Sequence, residues 1–381
     1  MTINTAPPAD EQVDSIWERV VARRTFLKGL GLVGATAVVP GTLWTAGARA
    51  DTTITGGDVA ILQFLAAAET IETDLWQQYA ELGGAEGGNA AYIKALQNLD
   101  DDMPEYISDN TDDEQSHENF LNAYLRSKGA EPIRFDKFRT LPSSKATGAK
   151  QIGRLTNLMR LDVDTSWYTR YRGHRNPDLG AQFPQAVHIN GEPAIPLNDQ
   201  DTPPDQDQPV PPQTDKQRRM QAIANTAAFH FAFIEQGGSS LYTTMSLKCS
   251  SLEVLRIVVS IGGVEVDHFG LWHDKAGAAV KPPLAGVTDP ETGVTFPDLN
   301  DPPFGGEQFD TGLVLPEPCD FIDPSLPACS VIRPSSVQNA GAVAAVKALT
   351  ADGLFRGQSQ GFFNRIMALA VAADSAQRQT A

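Results

Sequence analysis

The sequence predicts an all-α fold: an antiparallel four-helix bundle with a long crossover excursion and a C-terminal extension that ends in helix. Three observations support this. Four long stretches carry apolar residues at three- and four-residue steps, the repeat of one helix face. The joint between the third and fourth stretches, around 247–251, is short, so those two helices must pack antiparallel. Between the second and third stretches lies an excursion, 130–214, that reads as a crossover.

Composition narrows the classes. The chain has 381 residues, of which 41% are apolar and 20% charged, which permits a sizeable core and excludes global disorder. Forty-seven acidic against thirty basic residues leave a net charge of −17. Such a surface repels phosphate backbones, so nucleic acid is not an expected partner. Three cysteines are too few for a disulfide scaffold or a four-thiolate zinc site.

Residues 1–50 read as a targeting segment. Arg23-Arg24-Thr25-Phe26-Leu27-Lys28 precedes a weakly apolar stretch from Gly29 to Trp44, broken by Pro40. Ala48-Arg49-Ala50 then gives an A-x-A cleavage signature before Asp51. The paired arginines resemble a twin-arginine export signal, with Ala22 where Ser or Thr is usual. The apolar stretch falls short of the roughly 20 residues a membrane span needs, so cleavage is expected rather than anchoring. The expected location is periplasmic or extracellular, with the twin-arginine export machinery as a partner and no membrane span in the mature chain. Export favours disulfides, and Cys319 and Cys329, in a Pro-rich loop, are expected to close a small one. Cys249 is left over as a buried or capped thiol.

The bundle is expected over 51–277. Its first helix runs about 58–82, with Ile61, Leu65, Ala68, Leu75, Tyr79 and Leu82 on one face and Gly83-Gly84 as the stop. A short helix fits 90–99. The second long helix, about 104–128, opens on Pro104 and ends at Gly129. The third covers about 215–246, capped by Thr214 or Asp215, and the fourth about 252–276. Within the excursion a helix is predicted near 148–172, followed by a polar loop from Asn198 to Pro212. The extension, 278–381, is expected to be irregular to about 335. A last helix then fits 336–375, broken near Gly353 or Gly357.

The chemistry lies inside the four helices. The second carries Glu114-Gln115-Ser116-His117 and the fourth Glu265-Val266-Asp267-His268, both Glu-x-x-His. Spacing of three puts carboxylate and imidazole on one helix face, able to hold one ion. One such motif is weak evidence. Two of them, each among apolar residues at helical spacing, are much less easily accidental. The third helix places Glu235 after Phe231-Ala232-Phe233-Ile234, and a carboxylate in that company needs a cation, because burying it unpaired costs several kcal/mol. In the first helix Glu69 or Glu72 could serve, with Glu69 favoured. Taking Cys249 as the centre of the turn, Glu235 and Glu265 fall within about 3 Å of the same level in an antiparallel pair.

This order of glutamate, Glu-x-x-His, crossover, glutamate and Glu-x-x-His resembles the di-metal carboxylate pattern of the ferritin-like superfamily. Over 58–128 and 215–276 the chain is most similar to exported bacterial ferritin-like domain proteins, relatives of plant desiccation-associated proteins. That group's first helix usually reads Leu-Glu-x-x-Glu-x-x-(Phe/Leu)-Tyr, which Ala68 to Trp76 matches, with Trp76 in the Tyr position. The resemblance implies a ferritin-like bundle with Glu69 and Glu235 as terminal ligands, Glu114 and Glu265 as bridging or chelating carboxylates, and His117 and His268 as nitrogen ligands. It implies two divalent metal ions as cofactors, Fe or Mn, and O2 or peroxide as small substrate. The long excursion and the C-terminal extension depart from the pattern.

Two function classes stay open at this level. One is a redox protein of oxidative or desiccation stress, of the di-iron oxidase, ferroxidase or manganese-catalase kind, with an oxygenase whose excursion forms a lid as a variant. The other is a non-catalytic metal-binding or structural protein on the same scaffold. A homo-oligomer is compatible with either, although the extensions would obstruct a closed storage shell. His230, His273, His174 and His188 are expected to lie outside the ligand set. Two glycine pairs, Gly237-Gly238 and Gly262-Gly263, flank Glu235 and Glu265, either for close helix contact or to leave room beside the metals.

Overall fold

The computed structural model describes residues 54–170, 184–204, 207–299, 316–317, 322–331 and 340–379. The targeting segment, Cys319 and His174 lie outside them, and Cys329 is a free, exposed thiol without the disulfide expected of it. The described fold is all-α apart from one two-residue strand pair, β1 (Pro316–Glu317) with β2 (Cys329–Ser330).

Helix α1 (Gly56–Gly83) starts at a capping box, in which Thr55 accepts from the Asp58 N–H while the Asp58 carboxylate accepts from the Thr55 N–H. The same carboxylate also accepts from the Ser250 N–H at 2.8 Å, which ties the start of α1 to the far turn of the bundle. A short helix, α2 (Ala90–Gln97), leads to α3 (Met103–Ser127), which has Pro104 in its first turn. Gly129, at φ 72°, takes the left-handed conformation that ends α3. After the crossover come α5 (Asp215–Ser246), capped by a Thr214–Gln217 box, and α6 (Leu252–Ala278). The chief packed pairs are α5 with α6 and α1 with α3, so the four long helices form the bundle. No helix among the described residues is long and apolar enough to cross a membrane.

The crossover corrects one expectation. Instead of a helix over 148–172 it holds a single helical turn, α4 (Ser166–Arg170). Its apolar residues are buried as expected, Leu155, Leu158 and Trp167 among them, but its backbone finds partners outside itself. The Asp74 carboxylate on α1 accepts from the Leu155 and Thr156 N–H groups at 2.9 Å each. Leu141 pairs with Arg154 and Leu161 with Glu192 as isolated bridges. Periodicity without competition would have made a helix. Long-range hydrogen bonds replaced its i to i−4 ladder.

Arg219 on α5 pins this covering layer. Nearly buried, it lies 3.3 Å from Asp201 and 3.4 Å from Glu192, both in the crossover, and also pairs with Asp289 beyond α6. Burial, and a hydrogen bond shared with Asp289, push the Glu192 carboxyl up to about 9. The extension is less irregular than expected, since Val280, Leu284 and Phe296 join the core. It ends in α7 (Ala342–Ala351) and α8 (Gln360–Ser375), separated at Gly353 and Gly357, whose φ angles are 90° and 95°. Helix α8 packs on α1, and α7 on α8 and α5. With the crossover on one flank and these helices on another, α5 is buried almost all round, its polar residues included.

Candidate metal centre

Each long helix delivers its acid or Glu-x-x-His pair to one buried layer. Glu69 comes from α1, Glu114 and His117 from α3, Glu235 from α5, and Glu265 and His268 from α6. All six are buried. Their donor atoms fall into two overlapping groups: Glu69, Glu114, His117 and Glu265 in one, and Glu114, Glu235, Glu265 and His268 in the other. Within each group one atom from every residue lies within 4.8 Å of the rest. Glu114 and Glu265 belong to both groups. Glu72, the alternative to Glu69, belongs to neither and lies one turn further along α1. Ser239 Oγ, 2.6 Å from the Glu235 carbonyl and 3.0 Å from the Glu265 carbonyl, bridges α5 and α6 at this level.

The electrostatics call for cations. Four carboxylates converge on two imidazoles, and His117 Nδ1 stands 3.2 Å from Glu114 and 3.4 Å from each of Glu69 and Glu265. A single N–H cannot serve three carboxylates. Glu69 Oε2 and both Glu265 oxygens accordingly have no hydrogen bond. Burial, with the repulsion of Glu235, pushes Glu114 up to about 7. Burial and Glu114 raise Glu265 well above the carboxylate range. Burial opposes charging His117, but the three carboxylates beside it, Glu114, Glu265 and Glu69, outweigh that and raise its imidazole. Burial likewise opposes charging His268, and Glu235, Asp113 and Glu114 outweigh it. Four ionised carboxylates balance two divalent ions, and the O4N2 donor set suits hard or borderline metals. The residues present fit such a pair.

A model of the ferritin-like domain family matches residues 57–278, more than half of the chain. The chain belongs to the ferritin-like family. No curated protein and no solved structure matches it. The matched stretch contains all six converging residues and the crossover, and stops at the end of α6.

Around the ferritin-like core sit polar groups that the sequence reading passed over. Asn110 donates to Glu114 at 2.9 Å and to Glu235 at 3.1 Å, while its own oxygen accepts from the Trp272 indole at 2.7 Å. The Tyr242 hydroxyl donates to Glu69. Asp113 accepts from His268 Nε2 at 3.1 Å, which leaves Nδ1 as the ring nitrogen turned toward the carboxylates and available to an ion bound among them. Asn110 and Asp113 precede Glu114 by four and one residues, and the first of these shares its helix face. That spacing was the available signal. Tyr242 and Trp272 had none, since nothing local marks a ring that meets a ligand on another helix.

The remaining described histidines lie outside both groups. His230, fully buried, sits between the Tyr79 hydroxyl at 2.8 Å and Asp352 at 3.1 Å, which links α1 and α5 to the segment after α7. His273 stacks on Tyr168, and His188 is exposed. The glycine pairs divide by position rather than by pair. A Cβ on Gly238 would lie 2.2 Å from Glu265 Oε2, so this glycine makes room for the carboxylate itself. One on Gly262 would meet Tyr242 Cβ at 2.8 Å, and one on Gly263 would meet nothing within 4 Å.

Proposed function

We propose that this ferritin-like protein holds two divalent ions, iron or manganese, and performs redox chemistry with O2 or peroxide in stress protection outside the cytoplasm. The observation that carries the metal reading is the pair of buried groups sharing Glu114 and Glu265. When bound, such a pair would supply two one-electron steps at one place. The chain's own residues do the rest. Glu114 and Glu265 would span both ions, Glu69 with His117 would complete one end, and Glu235 with His268 the other. Asn110, Tyr242 and Asp113 hold those ligands in orientation, and the aromatic wall of Trp76, Phe231 and Trp272 excludes water from that side.

Loading the purified chain with Fe or Mn, then measuring metal content, O2 uptake and peroxide disproportionation, tests the reading. Iron with O2 uptake supports an oxidase, and manganese with peroxide loss a catalase. Metal retained without turnover would leave only the binding function. The export part rests on the Arg23-Arg24 motif. A twin-arginine route carries folded chains, so a Glu/His site can load before meeting copper or zinc, which would outcompete Mn and Fe. Changing Arg23 and Arg24 together to Lys should strand metal-loaded protein inside the cell. Normal export of that double variant would refute the route.

A further inference from the structure

A cavity of about 30 Å³ lies against the metal centre. Helices α1 and α5 form its inner walls, with Ile71, Phe233 and Gly238, and the extension closes it with Val346, Leu349 and Phe355. Gly238 borders both cavity and centre: it lines the first, and a Cβ built on it would lie 2.2 Å from Glu265 Oε2. Among the cavity's lining residues only Glu72 has a polar side chain. Glu72 is 8% exposed. Val346, Leu349 and Phe355 lie beyond the 57–278 stretch that matches the family, so the closing wall belongs to this chain's own extension.

We propose that this cavity is a binding pocket for O2, and that it selects O2 over hydrogen peroxide as the molecule delivered to the centre. The chemistry of the lining decides between them. A space of this size holds one very small molecule, since a single water needs about 10–15 Å³ by the same measure. A water there would find one polar partner where it needs two to four, so the pocket stays dry. Peroxide brings two O–H donors and four lone pairs, all hydrogen-bonded in water, and the Glu72 carboxyl is the one side-chain group in the lining that can meet any of them. The hydrogen bonds that one carboxyl cannot replace are lost on entry, equivalent to about tenfold or more in affinity. O2 has no donors to lose and gains from the apolar walls. The selection deepens the redox reading and rests on it for the fate of the gas, but gas binding itself does not.

The test therefore has two arms on the full-length chain. In the first, xenon binding is followed by NMR with and without metal. Wild type should bind saturably; Ala345→Leu and Ala348→Leu, at two alanines of α7 that line the cavity, should fill it and lose the site, and Leu349→Ala should enlarge it and bind more. Absence of saturable xenon in wild type, or binding unchanged in all three variants, overturns the pocket. In the second arm, iron-loaded protein should show KM for O2 raised about tenfold in the filled variants. Their kcat, metal content and rate with peroxide should stay within about twofold of wild type. Equal slowing with O2 and peroxide overturns the selectivity. If loaded wild type consumes neither molecule, the redox reading fails and the delivery role with it, while the xenon arm still decides whether the pocket takes gas.

Discussion

Glu114 and Glu265 each reach both halves of the ligand cluster, whereas Glu69 and Glu235 each reach one. Metal analysis of single variants should show this asymmetry. Glu114→Ala and Glu265→Ala should disturb both metal positions, while Glu69→Ala and Glu235→Ala should each leave one ion bound. Full occupancy in either of the first two would refute the assignment. His230→Ala should keep its metals yet lose about 1–3 kcal/mol in urea unfolding, because the Tyr79 hydroxyl and Asp352 are then buried without their partner. Asp113→Ala acts through another residue. It should weaken metal affinity about 10–100-fold by freeing the His268 ring, as losses of such outer partners do, and leave stability of the metal-free chain nearly unchanged.

At the level of elements, α5 and α6 carry their glycines for different reasons. Gly238→Ala forces a methyl into the space Glu265 occupies, so metal binding should fall even though alanine favours helix. Gly263 lies on the exposed face of α6 with open space beside it, and Gly263→Ala should raise stability by about 0.5–1 kcal/mol with metal content unchanged. Opposite outcomes from two alanine substitutions flanking one site, read by thermal melting and metal analysis together, would separate carboxylate accommodation from general helix packing. If Gly238→Ala bound metal normally, the close approach to Glu265 would have no functional weight.

For the whole molecule, the acidic centre makes stability depend on pH and metal together. In the metal-free chain Glu114 keeps its proton up to about 7, against an ordinary value of 4.5, and Glu265 is raised as well. A folded carboxyl that holds its proton after the unfolded one has lost it leaves the native state binding more protons. Stability then falls as pH rises, here between about 4.5 and 7. Thermal midpoints of the metal-free protein should follow that fall. Divalent ions should cancel it, bind more tightly toward the upper end of the window, and release protons on binding. A metal-free chain whose melting point climbs through that window would contradict the buried-cluster account.

Much of this was legible along the chain because it is local. Helical periodicity fixed the four long helices to within about two residues. The three-residue spacing in Glu114–His117 and Glu265–His268 put each pair on one face, and Glu235 stood out among phenylalanines. Those features depend on the backbone repeat, which a sequence displays directly. The choice between Glu69 and Glu72 does not: both lie on the inner side of α1, and only the rotation of that helix against α5 and α6 sends one to the ligand cluster and the other to the cavity. The same holds for the 148–172 segment, where Asp74 on α1 captured backbone groups that a helix would have used. Tyr242 and Trp272 meet the centre, and α7 and α8 meet α1 and α5, across long sequence separations. Contacts of that kind are decided by packing in three dimensions, and no local pattern encodes them.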